Sequence, residues 1–399
     1  MFKYFIRNKE HILLFYLFFL GILILIFCNL SISYYAVEFE KLTKAFLNGH
    51  LYLSKGYNIW TDASYYKGYT YWPQGFFPAI ILIPFSFFKI LFHQGIVQFI
   101  LNLLNLFLLY KISFKITKNK LTSAWLSFAY LFSTAYLMVG MLAISWWFAQ
   151  VVATSALLLT LYEFLHKKRW LLIGMFLAFA LTTRIDLAIS VVFFLIAIFS
   201  AKQDYKQKIN QLMQLIFPIL IGFSTIFAYN FGRFGSIFEF GYKYHIPYMT
   251  ETRAFLKQYG TWNLFYYPTN IYYLFFKGPD GVFIKNAKYL TAPFIKANAW
   301  GMSILFTSPI FLWCFKANLK EKLVKPALTT TILLLLFILG YFGIGANQFG
   351  FRYALDFYPF LFVILCFAFK PGMGKLAKGL IVISFVFNLY MVYGLIGAL

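Results

Sequence analysis

The sequence predicts an all-α, polytopic membrane protein with about eleven transmembrane helices. The chain of 399 residues is 62% hydrophobic and only 12% charged. Uncharged apolar runs of membrane-spanning length recur from one end to the other, and short basic clusters separate them. This composition excludes a soluble globular protein and predicts a single integral membrane domain over residues 1–399.

The basic clusters determine the predicted topology, because lysine and arginine retain loops in the cytoplasm. If all of these clusters are cytoplasmic, an odd number of crossings follows. The N-terminus is then cytoplasmic, the C-terminus is extracytoplasmic, and the chain is a multi-pass protein of the plasma membrane. The predicted spans are 12–33, 96–112, 121–139, 142–165, 169–184, 184–201, 211–230, 297–315, 326–345, 353–369 and 378–397.

Two longer segments, 34–95 and 231–296, are then extracytoplasmic loops. The first contains a hydrophobic stretch at 76–92 that includes Pro78 and Pro84. A crossing there would put the later basic clusters on the wrong side. We therefore predict a re-entrant or interfacial segment, or one half of a broken helix.

Charge and cysteine content restrict the partners and cofactors. A net charge of +23 would indicate nucleic acid as the partner of a soluble protein. Here the charge lies mostly between spans, so we predict membrane lipids and no nucleic acid as partners. The three cysteines fall inside apolar runs and have no Cys/His spacing typical of a metal site. We predict no metal site and no cofactor, although the sequence leaves metal dependence open.

Two carboxylates, Glu38 and Glu40, directly follow the first predicted span. Helical positions i and i+2 lie about 200° apart, so only one of them can face a given cavity. Glu40 has Lys44 at i+4, which favours a surface ion pair. Glu38 shares a face with apolar residues, and burial there would raise its pKa. An ion pair with Lys41 at i+3 is the alternative for Glu38.

Polar residues also lie in "IWTDASYYKGYTYWPQGFFPA" (59–79), a stretch dense in aromatic rings. An aromatic belt at the membrane interface explains the rings without any ligand. It does not explain Asp62, Lys67 and Gln74 among them. Planar walls with a few polar groups also suit a sugar, so Lys67, Tyr71 and Gln74 are candidate substrate contacts.

Two arginines occupy the ends of predicted spans on the outer side, namely Arg184 in "ALTTRIDLAI" and Arg352 in "FGFRYALDFYPF". Arginine is suited to gripping a phosphate with several donors. Ion pairs with Asp186 at i+2 and with Asp356 at i+4 are the structural alternatives. His245 has no ligand spacing, and we expect it to be a surface or packing residue.

Several segments together resemble the polytopic GT-C glycosyltransferases, including the bacterial, family 39-like relatives of the dolichyl-phosphate-mannose protein mannosyltransferases. They are the acid followed by "KLTKAFLNGHLYL", then "YYKGYTYWPQGFFPA", "YNFGRFGSIFEFGYKY", "LFTSPIFLW" and "FGFRYALDFYPF". The resemblance implies an active site on the non-cytoplasmic face, a polyprenyl-phosphate sugar donor and a lipid, glycan or protein acceptor. The family acid after the first span is usually Asp, whereas Glu38 or Glu40 stands here.

The resemblance also implies roles for four residues. Glu38 would be the catalytic base, because its distance from Ala45 and Gly49 matches the family pattern better than that of Glu40. Asp62 would be a second catalytic acid. Arg184 and Arg352 would bind the donor phosphate. The alternative functions are a transporter or flippase for a lipid-linked glycan and a non-catalytic scaffold.

Overall fold

The computed structural model describes residues 2–31, 36–56, 62–88, 92–245, 250–285 and 288–396. The chain is mostly helical and has two small antiparallel sheets. Its α-helices in the first part of the chain are α1 (Phe2–Ser31), α2 (Glu38–Leu47), α3 (Phe77–Ser86), α4 (Gln94–Thr117), α5 (Lys120–Phe132), α6 (Tyr136–Met141), α7 (Ser145–His166), α8 (Trp170–Thr183), α9 (Val191–Phe199), α10 (Tyr205–Phe234) and α11 (Thr250–Tyr259). The α-helices that follow are α12 (Tyr267–Ile271), α13 (Ile304–Thr307), α14 (Val324–Leu339), α15 (Tyr358–Ala368) and α16 (Lys375–Ile396).

Shorter elements connect these helices. The strands are β1 (Ser54–Lys55), β2 (Ser64–Tyr66), β3 (Tyr69–Tyr71), β4 (Asp280–Phe283) and β5 (Leu290–Lys296). The 3₁₀ helices are Ile185–Ser190, Tyr242–Tyr244, Leu264–Tyr266, Pro309–Lys316 and Arg352–Asp356, and a π-helical turn covers Tyr272–Phe276.

Membrane-spanning length is reached by five helices within the described residues. They are Lys9–Ser31, Gln94–Thr117, Ser145–His166, Tyr205–Phe234 and Lys375–Ile396. A further five apolar segments have only 10–17 residues: Phe77–Ser86, Trp170–Thr183, Ile185–Phe199, Val324–Leu339 and Tyr358–Ala368. The chain is therefore an integral membrane protein by its helices, but the predicted count of eleven spans is not confirmed.

Two of the predicted spans are interrupted. The predicted span 121–139 is divided into α5 and α6, and the predicted span 297–315 contains only the short α13 and most of a 3₁₀ helix. The segment 76–92 forms the ten-residue α3, with Pro78 in its first turn and Pro84 inside it. Ten residues are about half of what a helical crossing needs. The re-entrant placement of this segment stays a prediction.

The chain divides into two compact units. The first contains the residues up to Phe27, Leu106–Met141 and the residues from Trp262 onward. Within it, the break between α5 and α6 is hydrogen-bonded to α16. The Ser133 hydroxyl donates to the Ile381 carbonyl at 2.8 Å, and the Asn388 amide donates to the Thr134 carbonyl in the break at 3.4 Å. The same amide donates to the Thr307 carbonyl at the end of α13 at 3.0 Å. Backbone groups freed by broken helices thus find partners inside the protein, as the membrane requires.

The second unit contains Cys28–Asn105 and Leu142–Thr261. Its core joins α2, α3, α7 and the residue that follows β3 through the buried side chains of Phe39, Leu82, Phe148 and Trp72. In the first sheet β3 lies between β1 and β2, and both pairings are antiparallel. The α8–α10 contact depends on Gly174, where a Cβ atom would lie 2.3 Å from the Leu215 carbonyl oxygen. A small residue therefore allows these two helices to approach closely.

Candidate functional site

Glu38 is the first residue of α2, and its backbone is fixed by the start of α7. The Glu38 N–H donates to the Ser145 hydroxyl oxygen at 2.8 Å, and the Ser145 hydroxyl donates to the Ala36 carbonyl at 2.9 Å. Ser145 is fully buried, and Glu38 itself is only 2% exposed. The backbone at the N-terminus of α2 is therefore held by the first turn of α7, which lies far away in sequence.

The Glu38 carboxylate has one weak ionic partner and one oxygen without a hydrogen bond. Oε1 lies 3.8 Å from Lys41 Nζ, so the predicted i+3 pair is confirmed. Oε2 is buried and accepts no hydrogen bond from the described residues. Burial raises the pKa of Glu38, as predicted, and the charge of Asp62 adds to the rise. The Glu38 backbone N–H, Lys41 and Ser145 oppose that rise.

Asp62 is held on both of its carboxylate oxygens. The Trp146 indole N–H donates to Oδ2 at 3.0 Å, and His245 Nε2 lies 2.5 Å from Oδ1. Ser64 forms an isolated β-bridge with His245, which ties β2 to the same segment. The two predicted catalytic acids are thus anchored by Ser145 and Trp146, which are neighbours in sequence.

Glu40 has a structural role that differs from the predicted one. Its Oε1 accepts a hydrogen bond from the Gln94 N–H at 2.9 Å and lies 3.9 Å from His93 Nε2. The carboxylate therefore caps the N-terminus of α4, where free N–H groups and the helix dipole favour negative charge. The predicted Glu40–Lys44 ion pair is wrong within the described residues, since Lys44 Nζ instead lies 5.5 Å from the ring centroid of Phe92.

The three predicted substrate contacts have different surroundings. Lys67 and Gly68 form the two-residue turn between β2 and β3, both with positive φ, and the exposed Lys67 ammonium lies 5.3 Å from the Tyr66 ring centroid. Tyr71 is buried at 8% exposure, packs 5.3 Å from the Phe234 ring, and has its pKa raised by burial. Gln74 is half-buried. Turn geometry and packing therefore account for the first two, and all three contact roles stay predictions.

Arg184 lies between α8 and the 3₁₀ helix that precedes α9. Its Nη2 atom is 3.6 Å from Asp186 Oδ2, so the predicted i+2 pair is present. A Cβ atom on Gly75 would lie 2.3 Å from the Thr182 and Thr183 carbonyl oxygens. Only glycine permits that approach. It brings the backbone beside Gln74 against the end of α8, next to Arg184.

Arg352 belongs to the first unit, whereas Glu38, Asp62 and Arg184 belong to the second. It opens a 3₁₀ helix, and its guanidinium carbon lies 5.1 Å from the Tyr353 ring centroid. The prediction placed Asp356 one α-helical turn away. In a 3₁₀ helix with three residues per turn, i and i+4 are instead rotated about 120° apart. The α-helical geometry assumed for that pair is therefore wrong.

Two charged residues gained roles that the sequence did not reveal. His245, expected at the surface or in packing, contacts Asp62. Arg233 is 4% exposed, donates to the Trp72 carbonyl at 2.6 Å and to Asn230 Oδ1 at 2.7 Å, and lies 3.9 Å from the Tyr229 ring centroid. In the sequence, Arg233 stood out only as part of "YNFGRFGS", a segment that supported the family resemblance and no particular role for this residue. Arg233 therefore joins the end of α10 to the strand that leads to Gln74.

The described residues were also compared with the ligand sets that metal ions require. Among the residues that the structure describes, no group of three or more His, Cys, Asp or Glu side chains could hold a metal ion.

Comparisons with known proteins identify the fold. No protein-family model matches the chain, and no curated protein sequence matches it. The structure is similar to that of the Archaeoglobus fulgidus oligosaccharyltransferase in the apo form, with a TM-score of 0.50 and 11% sequence identity over 96% of this chain and 55% of that one. An oligosaccharyltransferase from the same archaeon, in complex with an inhibitory peptide and a dolichol-phosphate, gives a TM-score of 0.44 at 12% identity with the same coverage.

The chain thus spans about half the length of the solved structures that it matches. At this sequence identity the similarity concerns the fold alone. The chain therefore has a fold similar to that of an archaeal oligosaccharyltransferase, which agrees with the fold that the sequence resemblance implied.

Proposed function

We propose that this chain is a membrane glycosyltransferase that moves a sugar from a polyprenyl-phosphate donor to a lipid, glycan or protein acceptor on the outer face of the plasma membrane. The observation that carries the proposal is that two adjacent residues at the start of α7, Ser145 and Trp146, hold Glu38 and Asp62 in a chain with the fold of an oligosaccharyltransferase. Paired carboxylates are typical of sites that transfer sugars.

Glu38 is the proposed general base. The acceptor hydroxyl must lose a proton as its oxygen attacks the anomeric carbon, and the bond to the donor phosphate breaks as the new bond forms. Glu38 Oε2 is buried and accepts no hydrogen bond from the described part of the chain, so a lone pair remains for that proton. Its raised pKa brings the carboxylate closer to the acidity that a base needs near neutral pH.

Asp62 is proposed to orient the acceptor or the sugar rather than to transfer a proton. One of its oxygens receives the Trp146 N–H and the other contacts His245, so both are engaged. A fixed carboxylate holds a hydroxyl in a defined direction. Its negative charge also disfavours ionisation of Glu38, which strengthens Glu38 as a proton acceptor.

Arg184 is proposed to bind the donor phosphate, and Arg352, which belongs to the other unit, is proposed as a phosphate-binding residue from the sequence alone. As the sugar leaves, negative charge develops on the phosphate oxygen, and fixed guanidinium groups stabilise it in a site with little water. Arg184 is 21% exposed in its side chain and lies beside the Gln74–Gly75 backbone. Arg352 is half-buried and stands beside Tyr353.

The experiment uses the purified chain in liposomes with synthetic polyprenyl-phosphate sugars and a panel of lipid, glycan and peptide acceptors. We expect a labelled sugar on one acceptor class, and loss of that product in Glu38→Gln. Movement of the donor between leaflets, with no sugar transferred to any acceptor, would instead identify a flippase. Cysteine labelling at Tyr52 and Gly260 tests the topology, since both positions should react only from outside.

A further inference from the structure

A cavity of about 360 Å³ lies in the second unit, where α7 and α9 end and α8 and α10 begin. Its polar wall consists of Lys168, Gln203, Asn210, Gln211 and Gln214, and Trp170 forms part of its apolar wall. Among the described residues, no acidic side chain lines it. The volume is within the range of small-molecule sites, and the lining can donate hydrogen bonds to an anion.

The surroundings of the cavity are basic. Segments 163–169 and 202–208 carry six lysines and arginines against two acids. One of these acids, Glu163, is neutralised by Arg169, whose Nε and Nη2 donate to it at 2.9 and 2.7 Å. Lys168 is held beside the cavity, because its N–H donates to the Glu163 carbonyl at 2.8 Å and its ammonium lies 5.5 Å from the Phe164 ring centroid. An anionic ligand therefore meets a net positive field.

Helix α10 supplies further donors. Its N-terminus, beginning at Tyr205, carries the positive end of the helix dipole. The Gln214 amide donates to Asn210 Oδ1 at 3.2 Å. That bond uses the Asn210 carbonyl oxygen, so the Asn210 amide N–H groups can point to an oxyanion. Lysine and amide donors together are suited to the oxygens of a phosphate.

An apolar stripe beside the cavity favours a lipid over a free anion as the ligand. Ile209, Met213, Phe217 and Leu220 follow one face of α10 at helical spacing and are 37%, 65%, 61% and 57% exposed. Ile209 directly precedes Asn210, and Met213 directly precedes Gln214; both of these amide side chains line the cavity. A phosphate bound in the cavity would therefore place attached acyl chains along this stripe.

We propose that this cavity binds the phosphate-bearing headgroup of an anionic glycerophospholipid, whose acyl chains lie along the exposed face of α10. This end of the bundle is the one that the basic clusters predict to be cytoplasmic. Basic pockets between membrane helices on that side recognise anionic headgroups. The site includes none of the residues proposed for sugar transfer.

The test measures lipid binding by the full chain in nanodiscs of phosphatidylcholine that contain increasing phosphatidylglycerol, read by native mass spectrometry. Lys168 has φ of 54°, and asparagine tolerates that conformation. We therefore expect Lys168→Asn to weaken phosphatidylglycerol binding about fivefold. Lys118→Asn is the matched control, because Lys118 is exposed, has φ of 57° and lies between α4 and α5, outside the cavity. It should leave binding unchanged.

A second variant fills the cavity without changing charge. Ala197 is a lining residue of α9, and Ala197→Leu should abolish the preference for phosphatidylglycerol over phosphatidylcholine. Equal retention of both lipids by the unmodified chain would overturn the proposal, as would equal losses in Lys168→Asn and Lys118→Asn. Binding of inorganic phosphate to the same variants is measured as a separate experiment. If phosphate binds with the same dependence on Lys168 while phosphatidylglycerol has no preference, the site takes a free anion and the lipid assignment fails.

Discussion

Replacing Glu38 by glutamine separates a catalytic carboxylate from a structural one. The substitution keeps the shape of the side chain and the Glu38 N–H bond to Ser145, and removes only the negative charge. If the carboxylate takes the acceptor proton, transfer should slow by about 10²–10⁴. That loss corresponds to about 3–5 kcal/mol in the activation free energy.

The structural cost of the same change is much smaller. The Lys41 ammonium lies 3.8 Å from Oε1 and is 44% exposed, so losing this pair costs under about 1 kcal/mol. Because burial raises the pKa of Glu38 in the folded state, ionisation of the carboxyl opposes folding. Stability attributable to this group is complete below the unfolded pKa and is lost as the pH rises through the folded pKa.

Glu38→Gln should therefore keep or raise the melting temperature at pH 8, and its advantage over the unmodified chain should shrink towards pH 4. Transfer to a fixed acceptor and thermal unfolding, both measured in the same liposomes or detergent, provide the two readouts. An unchanged rate would contradict the base role. A melting temperature that falls in step with activity at pH 8 would indicate a structural carboxylate instead.

Three further predictions use the same assays. Glu40→Gln should lower stability by about 1 kcal/mol, because it weakens the charged cap on the Gln94 N–H, and should leave the rate nearly unchanged; a large rate loss at full stability would transfer the base role to Glu40. A double-mutant cycle of Asp62→Asn and His245→Gln should give a coupling free energy of about 1 kcal/mol, and strictly additive effects would deny the contact an energetic role. Arg352→Ala should weaken donor binding by about 2–5 kcal/mol, with partial recovery in Arg352→Lys, and an unchanged donor KM would remove this residue from the donor site.

Composition and periodicity predicted the fold class and the character of Glu38, because both depend on local information. The apolar runs indicate membrane helices, and the apolar face of α2 indicates a buried carboxylate. Hydropathy does not report where such a run breaks. The break after α5 is stabilised by hydrogen bonds from Ser133 to Ile381 and from Asn388 to Thr134, whose partners are remote in sequence.

The errors at individual residues have the same origin. Helical spacing favoured Lys44 as the partner of Glu40, but the free N–H of Gln94 at the start of another helix binds it instead. The sequence around His245 gave no sign of a partner. Asp62 lies far away along the chain, and the β-bridge between Ser64 and His245 brings the two side chains together. Helical spacing identifies possible partners only among residues near in sequence. It cannot identify a partner that the fold brings in from a distant part of the chain.

Because Ser145 anchors Glu38 and the next residue, Trp146, anchors Asp62, the spacing of the two acids depends on α7 and not on the chain between them. The connecting stretch between β1 and Asp62 can then differ in length or composition while the carboxylates keep their separation. We expect relatives with other acceptors to diverge in this stretch. This stretch could be exchanged between such relatives, whereas inserting a single residue between Ser145 and Trp146 would rotate one anchor by a further ~100° relative to the other.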